Sequence, residues 1–539
     1  LWMLSRELEK RHRLVREQSA MQLGRQQLSR YRFAHALFQQ YLYHDLSDGE
    51  QALLHRKIAR AIEQCYGEDL APFYSSLANH WSQVVKDGRS DPALIAEAVE
   101  YSYKAGQQAK ARFADHEATE LFTHAITLLT TLPASPERAQ QELDVQTALG
   151  SVLLATKGYG APEVGQTYDR ARVLCQQIGE TPQLFQVLWG LGRFYLVRTP
   201  LQTCRELGEQ LLNLAQQQQQ APELLLEARN SLGAASSHLG ELSQAQAHLE
   251  KGFALYDPQQ HRSHALIYGQ DPGTVCLSRM TWTLWCLGYP EQALERKQQA
   301  LALATELDHP FSMAFALNFV AQLHQFRREA QATQEQAEAA ISLCTEQGFD
   351  FYQAMGSCLL GWALFAQGQA TEGIAQLRQG VAAWKATGAV VLVPYYLALL
   401  AEMLGQTGQT ETGLATLAEA LATVDQSGER FWEAEIYRLK GELLLNDEGE
   451  RPALTTLKGR NAKRESSPEE CFFRAIDIAR CQSSKSLELR ATVSLCRLWQ
   501  VQGRQEQARQ ALAKIYDWFT EGFDTVDLKE AKALLEAWS

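Results

Sequence analysis

The chain has 539 residues, of which 51 are basic and 63 acidic, giving a formal net charge of −12 and a pI near 5.6. This length exceeds one compact core and predicts several domains or an extended array. The acidic balance argues against a nucleic-acid surface, and no apolar run is long enough to span a membrane. Ten cysteines without a CxxC pair indicate isolated thiols in a reducing compartment. We therefore predict a cytoplasmic protein with no membrane partner and no nucleic-acid partner.

The first 66 residues predict a small mixed segment rather than a repeat. A short helix at 1–11 precedes two short strands within 12–33, joined by a polar turn that contains Gly24. Two amphipathic helices follow, one carrying "FAHALFQQYLY" and the other spanning 53–67. A helix, a β-wing and two further helices form the outline of the end of a winged-helix domain.

An internal repeat organises most of the remaining chain. The segments "LLGWALFAQGQATEGIAQLRQGVAAWKATG" (359–388) and "LLAEMLGQTGQTETGLATLAEALATVDQSG" (399–428) lie 40 residues apart, and each shows a helix, a Gly-Gln turn, a second helix and a closing glycine. A fixed period of this kind predicts a solenoid of helical hairpins, longer than the ~34 residues of a tetratricopeptide repeat. The fold class is therefore an all-α, tetratricopeptide-like superhelix, with about nine hairpins over 67–445 and 469–539.

Small residues set the phase of the repeat. Residues seven apart share one helical face, and small side chains there allow close helix packing. The second helices carry such pairs at Ala245/Gly252, Ala293/Ala300, Ala332/Ala339, Gly373/Gly380 and Gly413/Ala420. Glycines suited to left-handed helix ends follow at Gly348, Gly388 and Gly428.

Two segments interrupt the period. Residues 446–468 are rich in charge, Gly, Pro and Ser, and include the basic cluster "KGRNAKR". We predict a flexible insert there, and a solvated loop rather than a nucleic-acid patch. About eight extra residues fall within 256–273, "YDPQQHRSHALIYGQDPG". Extra length at one point of a regular solenoid is a common place for a binding function.

The 256–273 insertion and the helix after it provide the candidate ligand or partner groove. Tyr268 offers a stacking ring, Gln270 a donor and an acceptor, and Asp271 an acceptor, a mixture that suits a small polar ligand or a peptide. Trp282 and Trp285 lie on the next helix. The alternative is purely structural, with Asp271 capping that helix and the tryptophans forming hairpin core.

No catalytic, cofactor or metal site is predicted in this segment. The chain has no Gly-Lys dipeptide, so it lacks a P-loop, and it has no HExxH or GxSxG motif. His261 and His264 are three residues apart, but two histidines without a third ligand favour a solvated loop over a metal site.

The opening helices resemble a known family of signal-transduction ATPases. In its members, an F-x-H-A-L…Y pattern precedes an L-H-x-x-I-A helix at the end of the ATPase module. The matching residues here are Phe33, His35, Ala36, Leu37, Tyr43, Leu54, His55, Ile58 and Ala59. The resemblance implies that residues 1–66 are the remnant of the winged-helix end of such a module.

Longer segments are similar to one bacterial family in which a class III adenylate/guanylate cyclase and an AAA-type ATPase precede a helical-repeat tail. The similarity covers 155–198, "YGQDPG" at 268–273, and "WFTEGFDTVDLKEAKALL" near the end. It implies that the chain is a fragment, and that ATP and Mg²⁺ bind only in the absent upstream domains.

The resemblance also implies a function. The repeats would sense a protein, peptide or small-molecule effector in their concave groove, and would control the upstream ATPase and cyclase in cis. Two alternatives stay open, a constitutive protein-interaction scaffold and the effector-binding part of an ATP-dependent transcription regulator. The sequence upstream of Leu1 would discriminate among them.

Overall fold

The chain forms two compact units, residues 1–149 and 150–539, in a computed structural model. We call them the N-terminal unit and the repeat unit. The structure describes residues 3–23, 26–86, 91–179, 181–198, 200–218, 221–450 and 467–538.

The N-terminal unit begins with the predicted helix and strand pair. Met3–Arg11 forms a π-helix, and the antiparallel strands β1 (Val15–Leu23) and β2 (Gln26–Phe33) follow. Their register is irregular between Glu17 and Ser19. Gly24, assigned to the turn, lies outside the described residues.

Helices complete this unit. They are α1 (Ala36–His44), α2 (Asp48–Tyr66), a 3₁₀ turn (Ala71–Phe73), α3 (Tyr74–Val84), α4 (Pro92–Ala111) and α5 (Asp115–Thr131). A capping box between Ser47 and Glu50 starts α2. The Ser47 hydroxyl accepts a hydrogen bond from Glu50 N, and the Glu50 carboxylate accepts one from Ser47 N. The unit extends past residue 66, where the sequence predicts the repeats to begin. Helix α6 (Pro136–Thr156) runs across the boundary into the repeat unit.

The described residues of the repeat unit form helices joined by short connections, without a strand, and the predicted fold class is confirmed. Its helices are α7 (Pro162–Ile178), α8 (Leu184–Arg198), α9 (Leu201–Gln217), α10 (Pro222–His238), α11 (Leu242–Phe253), α12 (Pro258–His261), α13 (His264–Tyr268), α14 (Pro272–Leu287), α15 (Pro290–Leu307), α16 (Pro310–Phe326), α17 (Ala330–Gln347), α18 (Asp350–Ala366), α19 (Ala370–Ala386), α20 (Val393–Gln406), α21 (Thr410–Ser427), α22 (Glu433–Glu450), α23 (Pro468–Cys481), α24 (Lys485–Val501), α25 (Gln505–Tyr516) and α26 (Val526–Ala537).

Successive hairpins stack into an inner and an outer layer. The first helices α8, α10, α14, α16, α18, α20, α22 and α24 each contact the next first helix, while each second helix packs on its own partner. Helix α14 is buried on every side from Pro272 to Cys286, whereas α15 buries only one stripe, which includes Ala293 and Ala300. The first helices therefore enclose the interior, and the second helices face outward.

The small residues on the second helices lie at the hairpin contacts, with one exception. Ala245, Ala293, Ala300 and Ala420 have no exposed surface. In α17, however, Ala332 is half-buried and Ala339 is exposed, while Thr333 and Ala340 are buried. The assignment of Ala332/Ala339 is thus wrong by one residue. The helix turns so that Thr333 occupies the contact position, 40 residues after Ala293 and 40 before Gly373.

Both interruptions of the repeat differ from the sequence prediction. The 256–273 insertion contains the short helices α12 and α13 instead of an open loop. In the second, helix α22 continues through residues 446–450, and Ser467 caps α23. The rest of the predicted flexible insert, with its basic cluster, lies outside the described residues.

A line of hydrogen bonds joins hairpins that are distant in sequence, and we call it the seam. At the ends of the first helices, carbonyl oxygens accept hydrogen bonds from segments several hairpins later. Val197 O accepts from Val390 N, at 2.8 Å, and from Val391 N, His238 O accepts from Arg430 N at 2.8 Å, Trp285 O accepts from Ser486 Oγ at 2.5 Å, and Phe326 O accepts from Arg490 Nη2 at 2.5 Å. The superhelix therefore winds tightly enough for its turns to touch.

Candidate functional site

An aromatic cluster occupies the middle of the repeat unit. Trp282 stacks on Phe319, with ring centroids 4.3 Å apart, and on Phe431 at 5.7 Å. Phe326 lies 6.1 Å from Trp282 and 4.8 Å from Trp432. This series of rings joins two cavities of the interior, one lined by Trp282 and the other by Trp432.

The first cavity, which we call the arginine pocket, contains two buried guanidinium groups. Arg193 on α8 is 3% exposed and Arg279 on α14 is 6% exposed. The cavity measures about 40 Å³, enough for about three water molecules. Its lining comprises Tyr159, Arg193, Leu196, Val197, His238, Gln270, Arg279, Trp282, Phe315, Phe319, Phe351, Tyr352, Met355, Trp384, Val391 and Leu392.

Neither arginine is neutralised by a carboxylate among the described residues. Nε and Nη2 of Arg193, and Nε and Nη1 of Arg279, are buried without a hydrogen-bond partner. Their contacts are aromatic, with Arg193 4.8 Å from the Trp189 ring centroid and Arg279 5.4 Å from that of Phe319. Cation–π contacts of this kind stabilise the charge but satisfy none of its N–H donors.

The surroundings of Arg279 disfavour its charged form. Burial, together with the positive charge of Arg193, lowers the pKa of Arg279 to about 10. The pocket is therefore a confined region of positive charge at neutral pH.

Two further donors of this pocket lack protein partners. Gln270 accepts a hydrogen bond from Tyr159 Oη at 2.8 Å, and its Nε2 is unpartnered among the described residues. The indole Nε1 of Trp282 is likewise buried without a partner within that part of the chain. The pocket thus gathers donors from α8, from α14 and from the turn before α14 around one small space.

The second cavity, which we call the charged cavity, measures about 450 Å³, within the range of about 300–1,000 Å³ that is usual for ligand sites. Arg438 forms a bidentate pair with Glu435 at 2.7 and 2.9 Å, and Arg490 donates to Asp527 at 2.9 Å. Burial alone would raise the pKa of Glu435, but Arg438 and Arg490 outweigh burial and hold it at about 2. The charges of this cavity are therefore largely compensated internally, unlike those of the arginine pocket.

The predicted site residues fall into three groups. Gln270 and Trp282 line the arginine pocket, as the preceding contacts show. Trp285 lies behind the charged cavity, where it packs 6.2 Å from Trp432 and 4.8 Å from the Arg490 guanidinium. Tyr268 and Asp271 line neither cavity.

Asp271 and Tyr268 have structural partners. Asp271 caps α14 by accepting from Thr274 N at 2.6 Å, and it also accepts from Tyr256 Oη at 2.8 Å. Burial raises the pKa of Asp271. The Tyr268 ring packs 4.9 Å from Trp189.

The two histidines of the insertion serve as structural partners in the same region. His264 Nδ1 lies 3.0 Å from Glu227 Oε1, and His261 Nδ1 contacts the backbone of Asp257. Among the described residues, no group of three potential metal ligands is present.

The sequence prediction missed Arg193 and Arg279. Their signal is an arginine inside an otherwise apolar first helix, in "LWGLGRFYLVR" and "VCLSRMTWTLW". Arginines are rarely buried unless they are paired. An arginine in a helix that is otherwise buried and apolar is therefore a candidate functional residue.

Comparison with known proteins supports the repeat assignment. A tetratricopeptide repeat model matches residues 489–514, and the chain is a tetratricopeptide-like helical-repeat protein. An uncharacterized protein, R02095, from Rhizobium meliloti (strain 1021) is 23% identical over 477 residues, which are 88% of this chain. The chain spans less than half of that relative, 44% of its length.

Solved structures with similar folds are distant in sequence. A Rap protein complexed with competence and sporulation factor is 10% identical, with a TM-score of 0.47 over 74% of this chain and 100% of that one. The APC/C hetero-tetramer Cut9-Hcn1 is 14% identical, with a TM-score of 0.46 over 93% and 94% of the two chains. Within the described ranges, no helix combines the length and apolarity needed to cross a bilayer.

Proposed function

We propose that this chain is the effector-sensing and protein-interaction segment of a larger bacterial signalling protein. Its repeats would control an upstream ATPase, which binds ATP and Mg²⁺, and through it a nucleotide cyclase. The longer length of the bacterial relative supports a multidomain parent, because that relative matches nearly all of this chain with less than half of itself.

The observation that carries the proposal is the unsatisfied polar interior of the repeats. Arg193 and Arg279 present buried N–H donors without partners among the described residues, and so does Gln270. Buried donors without partners cost stability, and a ligand that accepts from them recovers that cost. An interior arranged in this way favours a sensor over a passive scaffold, whose interior needs no unpaired charge.

An exposed apolar face on α1 and α2 supports contact with an upstream module in cis. Leu37 is 71% exposed and Tyr41 72% exposed on α1, which has no buried residue. Leu53 and Leu54 continue the apolar surface on α2. Several large apolar side chains exposed on two consecutive helices are typical of an interface. We assign it to the preceding domain of the same polypeptide.

The sensing mechanism follows from the repeat architecture. Small rotations between neighbouring hairpins add up along a superhelix. An effector held between the first helices α8 and α14 of two repeats would favour one winding of the superhelix over others. Binding then shifts the equilibrium of the parent between an inhibited and an active state. The size of the shift is set by the difference between the effector's affinities for the two states.

The test has a sequence step and an activity step. The coding region upstream of Leu1 should encode a P-loop ATPase module, and any other product overturns the proposal. In the intact parent, replacing Leu37 and Tyr41 by Ser should raise effector-free ATPase turnover several-fold, because the inhibitory contact is weakened. The matched control is Val501→Ser, an 88% exposed apolar residue on α24, which should leave turnover unchanged.

An intact parent whose ATPase turnover is the same in the wild type and the Leu37/Tyr41 variant refutes control in cis. That result would leave a constitutive interaction scaffold as the function of the repeats.

A further inference from the structure

The arginine pocket carries two positive charges that form no ion pair with a carboxylate of the described residues. Arg193 and Arg279 are almost fully buried, and two nitrogens of each have no partner in the described part of the chain. Burying an ion is costly unless an opposite charge or several hydrogen bonds compensate for it. The aromatic contacts of the two guanidinium groups leave their N–H donors free.

Two buried carboxylates beside this region have other hydrogen-bond partners. Glu227 accepts from Trp189 Nε1 at 2.9 Å and pairs with His264 at 3.0 Å. Glu429 contacts His238 Nδ1 at 2.9 Å and accepts from Leu392 N at 2.8 Å. Each of these acids makes its hydrogen bonds to groups other than the two arginines, so neither acid forms an ion pair with a guanidinium of the pocket.

The size and lining of the pocket restrict the ligand. A space of about 40 Å³ admits a ligand of only a few non-hydrogen atoms and is too small to enclose a peptide or a nucleotide. Planar guanidinium groups pair most effectively with planar carboxylates, through two parallel hydrogen bonds. The rings of Phe315 and Phe351 offer an apolar wall to a short carbon chain.

We propose that the arginine pocket binds a small carboxylate of two or three carbon atoms, held between Arg193 and Arg279. Gln270 Nε2 supplies a further donor to the same anion. The inference names the effector class for the interior of the repeats, and it depends on the proposed function only for what binding controls in the parent.

The test measures binding of sodium propionate to the wild-type chain, with sodium chloride at equal ionic strength as the reference. Isothermal titration calorimetry should detect propionate binding. The Tm should rise with propionate concentration, because a ligand that binds only the folded state stabilises that state. Arg279→Met should weaken propionate binding at least tenfold, because Met replaces the aliphatic part of the side chain and lacks the charged guanidinium group. The matched control, Arg378→Met at an exposed position of α19, should bind like the wild type.

A second variant keeps the test informative if Arg279→Met does not fold. Gln270→Glu has nearly the same shape as the wild type and places a carboxylate beside the arginines. It should raise Tm in the absence of propionate and weaken propionate binding at least tenfold.

Three outcomes overturn the inference. They are no propionate binding by the wild type, equal binding by wild type and the pocket variants, or a chloride effect on Tm as large as that of propionate. Binding by the isolated chain together with an unresponsive ATPase in the parent would uphold the carboxylate site and refute the sensing role.

Discussion

Helices α18 and α19 approach each other through glycine, which makes Gly361→Ala a sharp test of the repeat packing. A Cβ at Gly361 would lie 2.5 Å from the backbone nitrogen of Leu377 and 2.8 Å from its Cα. On the other side of the contact, a Cβ at Gly373 would lie 2.6 Å from Gly361 O. Because the obstructing atoms belong to the backbone, no side-chain rotation relieves the clash.

The expected magnitude is the difference between two effects. Carbon contacts are favourable at about 3.5–4.0 Å, so the helices would have to separate by roughly 1 Å. Overpacking of this kind costs about 1–3 kcal/mol. Replacing glycine by alanine in a helix returns about 1 kcal/mol. The difference is about 0–2 kcal/mol, and because the clash involves backbone on both sides we expect the free energy of unfolding to fall by the upper half of that range, about 1–2 kcal/mol.

Gly192→Ala is the matched control on another first helix. A Cβ there would meet only Leu207 Cβ, at 3.9 Å, which is an ordinary contact. This variant should therefore gain about 0.5–1 kcal/mol from helix propensity alone. Urea unfolding followed by circular dichroism measures both changes. If Gly361→Ala is as stable as Gly192→Ala, the close backbone approach of α18 and α19 is refuted.

Two further predictions concern other parts of the repeat unit. Ala293→Leu or Ala300→Leu should each cost about 1–3 kcal/mol, because both alanines are fully buried at the α14–α15 contact; unchanged urea midpoints for both would contradict this packing. Burial lowers the pKa of His309 to about 4 from an ordinary value of 6.5. As the pH falls, His309 is therefore protonated in the unfolded chain at a higher pH than in the folded chain. His309 then contributes full stability above pH 6.5 and loses it progressively toward pH 4. His309→Asn, which keeps a side-chain cap for Ser312 N, should remove up to about 3 kcal/mol of that acid-induced loss. Equal pH dependence of both proteins would contradict this assignment.

Most positions at which the paired helices touch could be predicted from the sequence, because small residues are required there. The sequence indicated Ala293, Gly373 and Gly413 correctly for this reason. The prediction of the contact positions was wrong in α17, where small residues occur at adjacent positions of "AQATQEQAEAA". Thr333, which is β-branched and polar, occupies the contact position there, and no local pattern distinguishes it from Ala332.

Only part of the candidate site could be predicted from the sequence. Gln270 and Trp282 could be chosen because they adjoin an irregularity in the period. The importance of Arg193 and Arg279 depends on which carboxylates surround them in three dimensions. Glu429 is far from both in sequence, and its engagement with His238 follows from the winding of the whole superhelix.

The seam has a consequence for how the repeat unit unfolds. In an open solenoid each repeat is coupled only to its neighbours, so unfolding can begin at one end and proceed stepwise. Here Arg490 on α24 donates to the last carbonyl of α16, and Ser486 donates to α14. Loss of the final hairpin would therefore expose acceptors in the middle of the unit. The repeats should melt together in one transition, and shortening the chain at its carboxyl end should weaken helices far from the cut.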